Sequence, residues 1–298
     1  MIDLFGNKTI DKVESPFSKS LLKSAIQKAV RRGEEEKALR CAKSLIASNL
    51  NDYARRLPII VLEDSLLHPD FDKLIEITKK ASRKNYLLSE EEANLLLTIT
   101  GDIARTEIRD FIIDNPDKID NYSKIDDDKL SFLKAIKYRT FIGGMKDDIV
   151  MLNDFIKIWS YRFSHGWDRE KIRSLFKTKP IKYDEVDFCT EEDILLETVD
   201  FHCSPMSKII LRKDWVVKEL KTSFPNQEPE DMLNKIVWCL RSGVNNKKIF
   251  WNGKTVNWLE ADKIPSHQWE DFKRIYNLIK YELDDISKWF IKKQIERS

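Results

Sequence analysis

The sequence predicts a mainly α-helical protein, a helical array followed by a tryptophan-rich helical unit that carries one small β-hairpin. Three observations carry this prediction. Glycine occurs only 8 times and proline 9 times in 298 residues, too few to punctuate an all-β chain. Apolar residues recur three and four positions apart over most of the chain, the period of a helix with one buried face. All eight tryptophans stand from Trp159 onward, whereas the first half relies on Leu, Ile and Ala. That shift divides the chain into units of residues 1–125 and 126–298. The boundary falls somewhere in 114–190, where the Asp/Lys-rich stretches 114–128 and 177–187 read as surface connections.

In the first unit, Leu21, Leu22, Ala25, Ile26, Ala29 and Val30 share one helical face. Ser18 is placed to cap that helix, and Gly33 to stop it after Arg31 and Arg32. A second helix, over 34–48, aligns Ala38, Leu39, Ala42, Leu45 and Ile46. A third begins near Asn51 or Asp52 and runs to about Leu67, ahead of Pro69. Pro58 lies inside this third pattern and is expected to end or kink it, because proline lacks the N–H that bonds the carbonyl four residues back. Ser89 with Glu92 forms a capping-box pattern opening a helix over 90–100. Ile103, Ile108, Phe111 and Ile112 extend the apolar helical face past Gly101. In the second unit, helical patterns cover 130–141, 146–163, 191–201, 213–223, 228–242 and 267–296. The stretch 248–256 differs: two short β-prone runs flank Asn252-Gly253, a pair that accepts the positive φ values of a tight hairpin turn.

Apolar residues make up 42% of the chain, too much for a disordered polypeptide, and folding a chain of this length buries roughly 75% of its unfolded surface. Lys and Arg exceed Asp and Glu by only two charges. The molecule therefore has no overall basic field, and nucleic acid has to be held by a local patch. Cys41, Cys189, Cys203 and Cys239 show neither close pairs nor zinc-finger spacing, which predicts reduced thiols and a cytoplasmic location. No leader pattern and no run of about 18 apolar residues is present, so neither export nor a membrane span is expected.

The phosphate-cradling, dinucleotide, zincin and nucleophile-elbow motifs are all missing from the sequence, so no catalytic residue and no cofactor is assigned. Gly143-Gly144 reads as a helix stop. Asp200, His202 and Cys203 bring a carboxylate, an imidazole and a thiol within four positions. They are the candidates for a metal site or an unrecognised nucleic-acid-processing enzyme. A zinc site needs three or four converging ligands, and His68, His165 and His267 have no paired spacing, so the preferred reading is a structural helix end. The carboxylates Asp126, Asp128, Glu191 and Asp193 read as solvated or helix-opening charges, with Thr190 and Asp193 as a cap pair.

Two basic sets are better candidates. Arg31, Arg32, Arg55 and Arg56 lie on neighbouring predicted helices, and antiparallel packing would unite them in one surface able to grip phosphate or carboxylate bidentately. The alternative pairs them with Glu34, Glu35, Glu36, Glu63 and Asp64. In the second unit, Trp238, Arg241, Lys247, Lys248 and Trp251 interleave aromatic and basic groups. That combination stacks bases and holds the backbone of single strands, although such tryptophans also serve as core or interface anchors.

The run Ser24-Ala25-Ile26-Gln27-Lys28-Ala29-Val30-Arg31-Arg32-Gly33 is followed by Ala38-Leu39-Arg40, then by Ala54-Arg55-Arg56-Leu57 leading through Ile60 to Glu63-Asp64, with His68-Pro69-Asp70 beyond. In that order these residues resemble the helical C-terminal region of the clamp-loader-like AAA+ ATPases of the RarA/MgsA/WRNIP family, over residues 18–72. About 17 residues precede Ser18, so the family's ATPase module is not expected here and its ATP-binding residues have no counterparts. The resemblance implies a collar-like oligomerisation module of replication, repair or mobile-element biology. Together with the missing catalytic motifs, it leads us to expect a non-enzymatic scaffold that self-associates and engages replication, repair or host-defence proteins. Nucleic acid is a further expected partner and a membrane is not; a pure protein–protein adaptor is the remaining alternative.

Overall fold

The computed structural model describes residues 8–110, 126–199, 206–251, 254–257 and 264–296. Helix α1 (Lys19–Arg32) begins where Ser18 accepts a hydrogen bond from the Leu21 N–H, and ends at Gly33, whose φ of 72° is left-handed. Its apolar face, from Leu21 to Val30, is buried as the spacing predicts.

Helix α2 (Glu35–Asp64) combines the second and third predicted helices around a break at Asn49 (φ −153°, ψ 73°). The Asn49 side chain restarts the helix by accepting from the Asp52 N–H at 3.1 Å. Pro58 neither ends nor breaks it. The Ala54 carbonyl, deprived of its usual donor by the proline, accepts the hydroxyl of Thr78 from α3 (Phe71–Ala81) at 2.9 Å. The next carbonyl, that of Arg55, accepts from Arg139 Nε at 3.1 Å. Long-range side chains thus replace the bond that the proline removes, which local sequence cannot report.

The chain reverses at Asn49, so the 50–64 half of α2 runs beside α1 in the same sense. Asp52 meets Lys19 and Lys23, Arg56 meets Gln27, and Glu63 and Asp64 meet Arg31. Arg31, 2% exposed, bonds Asp64 at 2.5 Å and Glu63 at 2.8 Å, and Gln27 bonds both carboxylates. Burial alone would raise Asp64, but the Arg31 guanidinium outweighs it and holds the carboxyl below its usual range.

Helix α4 (Glu90–Arg105) opens on the predicted capping box of Ser89 and Glu92 and passes through Gly101. A Cβ on Gly101 would lie 2.5 Å from Ile181, so the glycine admits a packing partner. The predicted helical face does not reach Ile108, which lies in strand β1 (Ile108–Asp110); Phe111 and Ile112 fall outside the described residues. Strand β1 pairs in parallel with β2 (Lys248–Trp251), which pairs antiparallel with β3 (Lys254–Val256). The predicted hairpin therefore gains a third strand from far earlier in the chain, in the register Ile108↔Lys248, Arg109↔Ile249 and Asp110↔Phe250.

Helices α5 (Asp127–Phe141), α6 (Lys146–Ser164), α7 (Arg169–Arg173), α8 (Met206–Ile210), α9 (Asp214–Ser223), α10 (Pro229–Arg241) and α11 (Ser266–Ile295) complete the mainly α fold. The α-helix expected over 191–201 is replaced, among its described residues, by two 3-10 turns, Glu191–Asp193 and Leu196–Thr198. Asp193 closes a capping box with Thr190 and binds Arg40 of α2 at 2.7 Å, which fixes the segment by a long-range pair.

Buried apolar residues form two clusters, one from Phe17 to Ile194 together with Phe250, the other from Val199 to Leu283. The change of cluster falls between Ile194 and Val199, and Ile291 packs against both clusters. Trp159, 0% exposed, is in the first cluster and Trp167 packs against it. Cys41 and Cys189, far apart in sequence, place their sulfurs 3.3 Å apart in that cluster. Among the described residues, no helix is long and apolar enough to cross a membrane.

Candidate anion-binding clefts

The same-sense alignment of α1 with the second half of α2 decides where the predicted arginines go. Arg56 donates to Gln27, about one helical turn from Arg31, and both arginines face Glu63, but Arg55 and Arg56 line one pocket and Arg31 and Arg32 another. Arg31 is buried against Asp64 and Glu63, two of the carboxylates in the alternative pairing anticipated from sequence.

Arg55 and Arg56 instead line a cleft of about 490 Å³ between α1, α2 and the α5–α6 turn. Five cationic side chains border it, Lys23, Lys28, Arg55, Arg56 and Arg139, against two carboxylates, Asp52 and Asp148. Lys23 pairs with Asp52 at 2.9 Å, while Arg56 stands 3.8 Å from both Asp148 and Glu63 and donates to Gln27 Oε1 at 2.6 Å. Arg55 donates to the Ile142 carbonyl at 3.2 Å. Arg139 is 3% exposed, and its hydrogen bonds among the described residues go to backbone carbonyls, those of Arg55 and Gly143. Burial pushes its guanidinium below the ordinary arginine range; Asp148 opposes this, and Arg55 and Arg56 add to it. Gly144, behind the predicted helix stop, also borders the cleft. Lys23, Lys28 and Arg139 gave no sequence signal, because a helical lysine or arginine reads as solvated surface until packing buries it.

The second predicted set meets the first at a different place. Trp238 is half-buried, with the Arg31 guanidinium 5.0 Å and the Lys28 ammonium 5.6 Å from its ring centre, which favours an anchoring role. Arg241 is 2% exposed and bonds Asp284 at 2.7 Å and Ser287 at 2.8 Å. Arg32 donates to the Lys28 and Arg241 carbonyls and packs close to Gly243, where a Cβ would stand 2.9 Å from the guanidinium. Lys247 is buried and Lys248 exposed at the start of β2. Both join Arg31, Arg32 and Arg105 around a second pocket of about 380 Å³. Trp251 lies in β2, but its side chain is outside the described residues, as are Asp200, His202 and Cys203.

Of the remaining histidines, His68 is fixed by structure. Its Nδ1 accepts from the Asp70 N–H at 3.1 Å and its Nε2 faces Asp102 at 3.2 Å, 1% exposed and edge-on to Phe176. Among the described residues no group of three or more His, Cys, Asp or Glu side chains is placed to hold a metal ion. No family model, no curated protein and no solved structure matches this chain.

Proposed function

We propose that this protein is a non-catalytic binding and scaffolding protein of nucleic-acid metabolism that holds a phosphate backbone in the cleft between α1, α2 and the α5–α6 turn. The observation that supports this reading is Arg139, a buried guanidinium at a cleft bordered by five cationic groups and two carboxylates. A buried cation bonded only to neutral acceptors is costly unless an anion joins it, and phosphate oxygens are the acceptors that guanidinium geometry suits. Through the resemblance of residues 18–72 to a collar region, we place the protein in replication, repair or mobile-element biology, acting with protein partners and through self-association.

The test is fluorescence anisotropy with labelled single- and double-stranded oligonucleotides over a salt series. Phosphate contacts release counterions, so log K should fall linearly with log salt concentration. Replacing Arg55 and Arg56 with Glu should weaken binding and reduce the slope by about one for each phosphate that is no longer neutralised. Absence of binding at low salt refutes the nucleic-acid reading. The adaptor alternative has its own observation, the exposed apolar side chains Phe141 (75%), Met145 (61%) and Val150 (52%) around the α5–α6 turn. Light scattering over a concentration series reads self-association; a strict monomer at high concentration removes that part of the proposal.

A further inference from the structure

The pocket where α1 ends against the α4–β1 turn and the entrance to β2 lies apart from the cleft above. It is lined by Arg31, Arg32 and Gly33 from the end of α1, by 104–107, and by Asn246, Lys247 and Lys248. Its cations differ in how far they are neutralised. Arg31 is matched by Asp64 and Glu63, and Arg105 by Glu35 and Asp102. Among the described residues Arg32 is not closely matched: its nearest carboxylate, Glu197, is 3.9 Å away, and its guanidinium is bonded to two backbone carbonyls. Lys247 is 4% exposed and donates to the Ile103 carbonyl at 2.5 Å, with no ion pair to a carboxylate among the described residues. Lys248 stands exposed beside it. Among the described residues, Glu107 is the single carboxylate on the pocket wall.

We propose that this pocket is an oxyanion site that takes a phosphate or phosphoryl group, with Lys247, Lys248 and Arg32 as the cations that receive it. The volume of about 380 Å³ leaves room for such a group with part of its hydration. The physical driving force is the unmatched charge. A buried ammonium without a counterion is strongly disfavoured and responds by giving up its proton. Burial lowers the Lys247 pKa to about 7, Asp64 of α2 opposing, Arg109 of β1 and Arg31 of α1 adding to the shift. Arg32 of α1, Arg105 of α4, Glu107 of the turn and Lys248 of β2 are the other charges around it. An anion supplies the missing partner, so binding takes up a proton on Lys247 wherever that lysine is neutral. Binding is then stronger on the acid side of neutrality.

Sulfate is the probe, because it stays doubly charged throughout this range while phosphate itself titrates. Isothermal titration calorimetry, repeated in buffers of different ionisation enthalpy, reads affinity and proton uptake together. For a site that requires a group of pKa near 7 to be protonated, sulfate binds about tenfold tighter at about pH 6 than at about pH 8. Proton uptake approaches one per sulfate at the higher pH. Lys247→Met should weaken binding at the lower pH and abolish its pH dependence; Lys248→Ala should weaken binding and keep that dependence. The proposal is overturned if the native protein binds no sulfate, if binding is independent of pH without proton uptake, or if Lys247→Met behaves as the native chain. Proton uptake by the native protein decides the matter even if a variant fails to fold. The site is independent of the nucleic-acid cleft, so oligonucleotide binding and sulfate binding can fail separately.

Discussion

Asp64 is 0% exposed and accepts from Gln27 at 2.7 Å, so replacing Arg31 with Ala would strand a buried carboxylate. Removing one partner of a buried pair costs about 3–5 kcal/mol, because the remaining charge stays desolvated without compensation. The pH dependence follows from the sign of the Asp64 shift. In the native protein Arg31 holds Asp64 below its unfolded pKa of about 3.9, so the pair stabilises above that pH and loses its contribution as pH falls through the folded value. In the variant, Arg109 and the Gln27 hydrogen bond still oppose burial, but without Arg31 burial outweighs them and the folded pKa is expected to rise above the unfolded one. The penalty is then full at neutral pH and shrinks as Asp64 takes up a proton on acidification. Both effects narrow the gap between native and variant at low pH. Urea denaturation followed by far-ultraviolet circular dichroism at about pH 7 and about pH 4.5 measures that gap. Adding Asp64→Asn to the variant should recover much of the loss at neutral pH by removing the stranded charge. A cost under about 1 kcal/mol at neutral pH, or one that is the same at both pH values, would refute the reasoning.

Thr78→Val should destabilise the protein by about 1–3 kcal/mol, because the Ala54 carbonyl opposite Pro58 loses its donor; adding Pro58→Ala should restore part of this in the same urea titration by returning a backbone N–H. Ser89→Ala should cost about 1 kcal/mol through loss of the cap on α4, with faster amide exchange confined to the first turn at 90–93. Exchange that stays unchanged there would mean that the bonds of Glu92 to Lys80 and Tyr86 hold the turn without Ser89.

Local chemistry made most of the helices legible. Ser18, Gly33, Ser89 and Glu92 satisfy backbone groups within a turn of themselves, so their effect is written in adjacent residues. The Asn-Gly pair likewise announced the two strands that flank it. Errors arose where a distant partner outweighed a local tendency: Pro58 rescued by Thr78, Asp193 held by Arg40, Ile108 drawn into a strand by Lys248. The candidate sites follow the same division. The sequence picked out Arg31, Arg32, Arg55, Arg56, Lys247 and Lys248 as basic groups of interest. It could not say that the reversal at Asn49 sends Arg55 and Arg56 to one cleft and leaves Arg31 and Arg32 at another.

By itself, then, the sequence determined the helical class, most helix ends and the hairpin, because those depend on hydrogen bonds closed within a few residues. Only the tertiary structure decided which charges are neutralised. Whether Arg31 is matched by Asp64, or Lys247 is buried with the Ile103 carbonyl as its acceptor, depends on groups 33 and 144 positions away. The cost of an unmatched charge depends on how thoroughly packing removes it from water, which no local pattern encodes.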